Sequence, residues 1–369
     1  MCKRIFKNET SDGGDIPFYK IGTFGGEPDA YISRELFEEY KKKFSYPNEG
    51  DILLSASGTI GRIVEYTGED AYFQDSNIVW LSHDKSICNK FLKVLYPTVK
   101  WDGIEGSTIK RLYNDNFLKT QFMMPKIEEQ ERLGEYFEQL DHLITLHQRK
   151  YNKLLNVKKS MLEKMFPKNG SNIPEIRFKG FTDPWEQRKW IDTVDISTEM
   201  VDPTSGEFDD MPHIAPGNIE SFTGRILDNV KSVKEEQLIS GKFRFRPGDV
   251  VYGKINPQLG KYFYASVDGL TSADAYVFNG KNGISQKFLF SLLQTADFFK
   301  YSVSVSKRSG MPKINRDELN AYSFLAPNAE EQNKIGDFLL ELDHLITLHQ
   351  RELEKLQNIK KSMLEKMFV

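Results

Sequence analysis

Basic and polar side chains collect in the loops of two stretches of this sequence, and their chemistry suits nucleic acid. Lysine and arginine bind phosphate, while Ser, Thr, Asn and Gln beside them can hydrogen-bond to base edges. The candidate residues are Ser55, Ser57, Thr59, Arg62, Lys110, Arg111, Lys242, Arg244, Lys254, Asn256, Gln258, Lys261, Lys307, Arg308, Lys313 and Arg316. We therefore predict a DNA-binding surface on loops of both stretches.

The overall charge leaves the alternative of ordinary surface charge open. The chain carries a formal net charge of −3. Residues 1–124 contain 16 basic and 18 acidic side chains, so the first stretch is not basic as a whole. Any nucleic-acid binding must come from the local arrangement of these side chains, because the total charge does not favour it.

The sequence lacks four motifs that are typical of nucleotide-binding or catalytic sites. It contains no GxxxxGK[ST] phosphate loop, no GxGxxG turn, no HExxH and no GxSxG. The nearest approach to a methyltransferase motif is Asn256-Pro257-Gln258-Leu259, which lacks the second proline and the aromatic ring that would stack on a flipped base. We predict no catalytic residue in this chain.

Four of the six histidines fall in two repeated segments, at His142, His147, His344 and His349. Within each copy they are five residues apart, whereas neighbours on a helix face are three or four apart. A metal or pH-sensitive site is one interpretation. We favour polar residues in or beside a helix seam, where they fix register or contact a partner protein. We predict no metal site.

Lys158 and Lys360 also occupy seam positions in the repeats. The lysine pairs at 158–159 and 360–361 lie towards helix C-terminal ends, where positive charge complements the helix dipole. We expect these pairs to be solvated, with phosphate contact or partner docking as the alternative.

The repeated segments predict two long helices. DHLITLHQR is identical at 141–149 and 343–351, KKSMLEKMF is identical at 158–166 and 360–368, and each copy begins at an EEQ tripeptide. Apolar residues recur at steps of four and three, the 3.5-residue period of a coiled coil. The predicted seam contains Leu133, Phe137, Leu140, Ile144, Leu154, Met161, Ile335, Leu339, Leu342, Ile346, Leu353, Leu356 and Met363. Burying each Leu or Met stabilises by roughly 1.5–3 kcal/mol, so we expect the two copies to pair.

The rest of the chain predicts an α+β fold in which two mixed α/β domains are separated by the long helices. We place domain 1 at 1–126, helix 1 at 127–166, an irregular connector at 167–189, domain 2 at 190–327 and helix 2 at 328–369. The two domains carry signals in the same order, so the chain reads as one unit duplicated with pseudo-two-fold symmetry.

Local patterns in domain 1 predict individual elements. Residues 32–44 and 89–101 read as short helices, the second ending near Pro97. Residues 50–66 read as a hairpin around a loop of small residues, and 71–81 as a strand.

Cysteine content and hydropathy indicate a cytoplasmic protein. Cys2 and Cys88 make neither a disulfide framework nor metal-ligand spacing. No apolar run approaches the ~20 residues of a membrane span, and the first residues, MCKRIFKNETSDGG, show no signal-peptide core.

The duplicated DHLITLHQR…KKSMLEKMF helices, the PxxEEQ helix starts, the GDILLSASGTIGR and RPGDVVYGK loops and the FTDPWEQRK connector resemble those of a type I restriction–modification specificity subunit. The resemblance covers essentially the whole chain. It implies two target recognition domains that each read one half of a bipartite double-stranded DNA site. It also implies that the two helices form an antiparallel coiled coil that sets the spacer between the half-sites.

The same resemblance implies a non-catalytic subunit that works with partners. Two methyltransferase (modification) subunits dock on such a chain, and restriction subunits carrying translocase and nuclease activity join them. S-adenosylmethionine, Mg and ATP are then expected in the partners, with no cofactor bound by this chain. Helix 1 from Glu128 to Phe166 would be roughly 58 Å long, a length that matches about 17 base pairs.

One departure from the family concerns the first recognition domain. Residues 176–195 have no counterpart before Met1, whereas family members begin with such a segment, so we expect domain 1 to be short at its N-terminal side. The alternatives are a coiled-coil scaffold that does not bind DNA, an inactive or truncated allele of a specificity subunit, and a stand-alone methyltransferase, which the absent motifs disfavour.

Overall fold

The fold consists of two compact units, seen in a computed structural model that describes residues 1–101, 103–104, 110–168, 170–307 and 310–368. Unit 1 comprises residues 1–146 and 354–369, and unit 2 comprises residues 147–353. Each unit therefore combines one mixed domain with parts of both long helices.

Unit 1 contains two small sheets and short helices. The strands are β1 Ile16–Tyr19, β2 Tyr31–Ile32, β3 Ile52–Ser55, β4 Ile63–Glu65, β5 Tyr72–Phe73 and β6 Ile78–Trp80. The helices are α1 Arg34–Lys43, α2 Asn89–Leu95 and α3 Asn114–Lys119. One sheet has the order β2-β1-β5, with β1 antiparallel to β2 and parallel to β5; the other is antiparallel with the order β4-β3-β6.

The predicted elements of domain 1 form, with one exception. Helix α1 begins after Ser33, whose hydroxyl accepts a hydrogen bond from the Leu36 N–H at 3.2 Å, a stabilising N-cap. The hairpin is confirmed as β3 and β4. The single strand predicted over 71–81 is wrong: the chain turns between β5 and β6, where Ser76 adopts φ 56°, and the two strands join different sheets.

Unit 2 repeats this plan in a larger form. Its strands are β7 Glu186–Lys189, β8 Val194–Ile196, β9 Met200–Val201, β10 Pro212–His213, β11 Lys231–Ser232, β12 Lys242–Phe245, β13 Val250–Gly253, β14 Tyr262–Tyr264, β15 Gly269–Thr271, β16 Ala275–Gly280 and β17 Ser323–Ala326. The strand orders are β11-β10-β15-β12-β9, β14-β13-β16-β8 and β17-β7. As in unit 1, the first sheet holds a parallel pair, β10 and β15, beside an antiparallel pair, β10 and β11.

Aromatic packing forms the core of unit 2. Its shorter helices are α5 Trp190–Thr193, α6 Gln286–Leu293, α7 Ala296–Val305 and α8 Arg316–Asn320. Trp190 is 0% exposed and its ring contacts Phe278, Phe298 and Phe324, with centroids 5.0–6.4 Å apart. The prediction of an irregular connector over 167–189 is therefore wrong at its end, because β7 belongs to the β17-β7 sheet and Trp185 is buried in this core.

The long helices are confirmed as α4 Ile127–Lys164 and α9 Ala329–Met367. Within unit 2 they run antiparallel: Lys158 contacts Asp343, whereas His147, earlier in α4, contacts His349, later in α9, with 3.1 Å between the two Nδ1 atoms. Within unit 1 they also run antiparallel: Lys360 Nζ lies 2.5 Å from the Asp141 carboxylate, and Phe368, later in the chain, contacts Phe137, earlier in α4, with ring centroids 6.2 Å apart. Within each unit, the parts of α4 and α9 that belong to it are therefore antiparallel, as predicted.

The prediction that both lysine pairs are solvated is wrong for Lys158. This residue is only 6% exposed, and its ammonium forms an ion pair with Asp343. Lys360 makes the equivalent ion pair with Asp141 in unit 1, but at a more open position. The placement of these lysines in the seam is confirmed, since each one reaches an acid of the opposite helix.

The predicted seam residues face inwards. Seven of them are buried: Phe137, Leu140, Ile335, Leu339, Leu342, Ile346 and Leu353. The others are half-buried: Leu133, Ile144, Leu154, Met161, Leu356 and Met363. Part of the stripe packs on the domains and not only on the other helix, since Ile335, Leu339 and Leu342 belong to the core of unit 2.

A repeated glutamine holds the start of each helix against its domain. In unit 1, Gln130 accepts from the Cys88 N–H at 2.9 Å and donates to the carbonyls of Ser86 and Pro125. In unit 2, Gln332 accepts from the Ser285 N–H at 3.0 Å and makes the corresponding two donations. The EEQ tripeptide of each copy therefore satisfies loop backbone groups that would otherwise be left unpaired.

Candidate nucleic-acid interface

In unit 1 the backbone joins the hairpin loop between β3 and β4 to the segment that carries Lys110 and Arg111. The N–H of Gly58 donates to the carbonyl of Lys110 at 3.0 Å, and the N–H of Leu112 donates to that of Ala56 at 2.8 Å. Two groups of candidates that are some 50 residues apart in sequence therefore lie together. Lys110 and Arg111 are both exposed.

The hairpin loop is held in shape by its own polar groups. The hydroxyl of Ser55 donates to the carbonyl of Thr59 at 2.6 Å and accepts from the N–H of Arg62 at 2.9 Å. The Arg62 guanidinium donates to the carbonyl of Phe24 at 2.9 Å. Ser55 and Ser57 are buried, so Thr59 is the hydroxyl candidate that this loop presents to solvent.

Unit 2 repeats this arrangement bond for bond. The N–H of Asn256 donates to the carbonyl of Pro312 at 2.8 Å, and the N–H of Ile314 donates to that of Lys254 at 3.1 Å. Lys313 forms a β-bridge with Ile255, as Arg111 does with Ser57 in unit 1. A loop after the central strand and a short basic segment across from it are therefore a shared feature of both units.

Three cations gather at this place in unit 2. Lys254 Nζ lies 5.0 Å from the ring centroid of Tyr276, and the Arg316 guanidinium carbon lies 5.9 Å from the same centroid. Burial lowers the pKa of Lys254, and repulsion by Lys313 and Arg316 lowers it further, against the attraction of Asp274. An anion placed among the three cations would relieve this repulsion.

These cations form no ion pair within the described ranges. None of Lys254, Lys313 and Arg316 forms an ion pair there within 4.0 Å, although Arg316 makes long hydrogen bonds of 3.3 and 3.5 Å to the carbonyls of Ser197 and Ile196. Lys313 and Arg316 are exposed and Lys254 is half-buried. The cluster can therefore accept phosphate without first breaking an internal ion pair.

Amide side chains lie in the same loop. Asn256 adopts a left-handed backbone conformation with φ 50° and ψ 60°, which asparagine tolerates better than most residues. The Gln258 amide donates to the Asn256 side-chain oxygen at 3.2 Å and is exposed. Asn256 and Gln258 therefore present donors and acceptors beside the cations, the combination that base-edge recognition uses.

Other predicted site residues are occupied inside the domain. The Lys242 ammonium is buried and donates to the carbonyl and hydroxyl of Ser240, both at 2.7 Å. Arg244 forms a bidentate pair with Asp268 at 3.1 and 2.7 Å, and Lys261 donates to the carbonyl of Ile219. DNA contact by these three stays a prediction, but their polar ends already serve the fold.

The remaining candidates contribute less to the arrangement. Lys307 is exposed, and Arg308 lies outside the described residues. Tyr276 was missed by the sequence reasoning, although two of the cations lie within 6 Å of its ring centroid. Its position on a strand with buried neighbours gave no signal, since an aromatic residue there is ordinary core.

Two further observations concern metal ions and membranes. No group of three or more His, Cys, Asp or Glu side chains suited to a metal ion occurs within the part of the chain that the structure covers. Among the same residues, no helix is both long and apolar enough to cross a membrane.

A family model links this arrangement to known proteins. The Type I restriction modification DNA specificity domain matches residues 1–156 and again residues 182–358. The chain therefore belongs to this family, and the two matches correspond to the duplication seen in the fold.

Two curated relatives show the same likeness. Over 149 residues, 39% of this chain, it is 58% identical to a putative type I restriction enzyme specificity subunit of Haemophilus influenzae, covering 39% of that protein. Over 210 residues, 55% of this chain, it is 29% identical to the EcoDI type I restriction enzyme specificity subunit of Escherichia coli, covering 46% of that protein. The matches thus span less than half of either relative's length.

A solved structure has the same fold. The type I restriction–modification S subunit of M. genitalium matches with a TM-score of 0.63 and 12% identity, covering 100% of this chain and 92% of that one. At this identity the likeness supports the fold alone.

Proposed function

We propose that this chain is a non-catalytic DNA specificity subunit of a type I restriction–modification complex. The observation that carries the proposal is the cluster of Lys254, Lys313 and Arg316, which forms no ion pair with the residues that the structure describes and lies on a loop arrangement present in both units. Membership of the specificity-domain family supports it. Each mixed domain would read one half of a bipartite site on double-stranded DNA.

The cations and amides have separate roles in this proposal. Lys254, Lys313 and Arg316 would bind phosphate and position unit 2 on the duplex, because phosphate contacts orient a protein without reading sequence. Asn256 and Gln258 would contact base edges, where an amide can pair with adenine in both directions. In unit 1 the corresponding roles would fall to Lys110 and Arg111 for phosphate and to Thr59 for bases.

The chemistry would belong to partner proteins. We propose that two modification subunits dock on the chain and carry methyl transfer with S-adenosylmethionine, and that restriction subunits supply ATP- and Mg-dependent cleavage. The repeated residues of α4 and α9 are identical over long stretches, whereas the domain loops differ. Identical helices suit two copies of one partner, and different loops suit two different half-sites.

The test is to assemble the chain with its modification subunits and map the methylated sites on random-sequence DNA. We expect methylation at one bipartite sequence with a constant spacer. Inserting seven residues into α4 and seven at the matching level of α9 should change the spacer and leave both half-sites unchanged. Methylation without sequence preference would instead favour a scaffold that does not read DNA.

The cation cluster can be tested by its salt dependence. Each phosphate contact contributes roughly −0.9 to the slope of log K against log salt concentration. Lys313→Ala removes one such contact and should make the slope less steep by about 0.9. The preferred sequence should stay the same. Lys234→Ala is the matched control, because Lys234 is an exposed lysine of the same unit that pairs with Asp209 at 3.5 Å. Equal slopes for the two variants would show that Lys313 does not contact the DNA phosphates.

A further inference from the structure

Two exposed apolar side chains lie in the paired segments of unit 2 that also carry the amides and the cations. Leu259 is 45% exposed and directly follows Gln258 in the hairpin loop, and Met311 is 66% exposed in the segment across from it. Neither belongs to a hydrophobic core cluster of the described residues. Single exposed apolar residues are ordinary on a protein surface, but these two share one small region with polar groups suited to DNA.

Backbone pairing places Met311 beside the amide-bearing turn. Lys313 forms an antiparallel bridge with Ile255. One residue earlier in the same segment, the carbonyl of Pro312 accepts a hydrogen bond from the N–H of Asn256 at 2.8 Å. Met311 is the next residue in that direction, so it lies across from the turn that follows Asn256.

The hairpin loop is held in a fixed shape. The N–H of Leu259 donates to the carbonyl of Asn256 at 2.9 Å, and the N–H of Gly260 closes a second turn to Pro257 at 3.0 Å. The Phe222 ring lies on Gly260, where an added Cβ would be 2.5 Å from it, and the Phe222 N–H donates to the Gly260 carbonyl at 2.9 Å. A loop supported in this way loses little conformational entropy when it binds a partner.

The residue types in these segments are those that recognise an A·T base pair. In the major groove adenine presents N7 and its amino group, to which an Asn or Gln amide can bond in both directions. Thymine presents O4 and a C5-methyl group, which an apolar side chain recognises by contact. Asn256 and Gln258 supply the amides, and Met311 and Leu259 supply the apolar groups.

Contact with a methyl group suits this region better than insertion between base pairs. Apolar wedges that kink DNA enter the minor groove. The amides near Met311 match the edge that adenine presents in the major groove, and the thymine methyl group lies in that same groove. Methionine is unbranched and adapts its shape to the group it meets.

We propose that Met311 is a specificity-determining residue that contacts the C5-methyl group of a thymine in the half-site read by unit 2. Leu259 supplies a second, less exposed apolar contact from the hairpin turn. The inference rests on the proposed function, and it adds the chemical identity of one base to the half-site. It also assigns the reading of that base to a side chain with no polar group.

The probe is a set of DNA duplexes in which single thymines of the methylated site are replaced by deoxyuridine, which lacks only the C5-methyl group. Affinity is measured by competition, with the chain assembled with its modification subunits. Burying one methyl group changes affinity about fourfold, so one such replacement should weaken binding about fourfold. Met311→Ala should bind the thymine and deoxyuridine duplexes equally, whereas Met311→Leu keeps an apolar contact and should retain the difference.

Ile239→Ala is the matched control, because Ile239 is an 88% exposed apolar residue on the loop before β12. It should leave the difference between thymine and deoxyuridine unchanged. The inference is overturned if no deoxyuridine replacement weakens binding, or if Met311→Ala keeps the full difference. In both cases a complex that still prefers one bipartite sequence leaves the proposed function standing. Binding that is indifferent to sequence would overturn the proposed function and this inference together.

Discussion

Gly336 allows α9 to lie directly on the start of α6, and replacing it should destabilise unit 2. A Cβ atom built on Gly336 would lie 2.5 Å from Lys287 Cβ, 2.9 Å from the Lys287 carbonyl carbon and 3.0 Å from the Phe288 nitrogen. Carbon atoms in contact normally stay about 3.5 Å or more apart. Two of the three clashing atoms are backbone, so a side-chain rotation cannot relieve the overlap and the helix must move away by roughly 1 Å.

Two opposing contributions set the change in the free energy of unfolding of unit 2. Alanine is favoured over glycine in a helix by up to about 1 kcal/mol. Overpacking a close contact costs about 1–3 kcal/mol, and here the movement also loosens Leu339 and Phe288, which are fully buried. We expect Gly336→Ala to lower the free energy of unfolding of unit 2 by about 1–2 kcal/mol.

Hydrogen exchange can measure this change separately in each unit. Protection of β13 reports on unit 2 and protection of β3 reports on unit 1. Gly134→Ala is the matched variant, because its Cβ would meet Lys90 Cβ at 2.6 Å and the Phe91 nitrogen at 3.1 Å; it should weaken unit 1 alone. Asn333→Ala, at an exposed position of α9, should be neutral or slightly stabilising. If Gly336→Ala raised the stability of unit 2, the close approach of the two helices would be disproved.

Two further predictions concern the seam. Lys158→Met should destabilise unit 2 by about 3–5 kcal/mol, because it leaves Asp343 buried and unpaired. Lys360→Met removes a more open ion pair and should cost at most about 1 kcal/mol. Equal losses of stability for the two variants in urea unfolding would contradict the difference in burial. Burial lowers the pKa of His349, and His147 and Lys150 lower it further. A lowered pKa means that protonation opposes folding, so the stability of unit 2 should fall as pH drops below the ordinary value of 6.5. His349→Gln should flatten this dependence in urea midpoints measured from pH 8 to 5, and unchanged steepness would contradict it.

The long helices are the part of the fold that the sequence determines most directly. Their apolar residues keep a 3.5-residue spacing, and that spacing is a local property that any partner surface can satisfy. The residues of the predicted seam lie at buried or half-buried positions for this reason. The hairpin of β3 and β4 could also be predicted from the sequence, since its loop glycines and its two apolar runs lie within one short stretch.

The environment of individual polar residues depended on the tertiary structure. Lys158 and Lys360 stand in identical sequence, yet one is buried and the other is half-exposed, because different domain surfaces pack around them. The sequence predicts Lys242 and Arg244 as DNA-binding residues, and the fold gives both of them internal partners. Sequence identifies a charge but not whether another group of the chain will meet it.

The candidate interface shows the same limit. The sequence supplied Lys254, Lys313 and Arg316 as basic residues, but Lys254 is about 60 positions from the other two and the sequence gives no distance between them. Backbone hydrogen bonds between the hairpin loop and the segment across from it bring them together, with Lys254 and Arg316 on the ring of Tyr276. The periodicity of the sequence therefore determined which residues form the long helices and face inwards. Only long-range backbone pairing decided which charges share a site, because it joins residues whose local sequences give no indication that they pair.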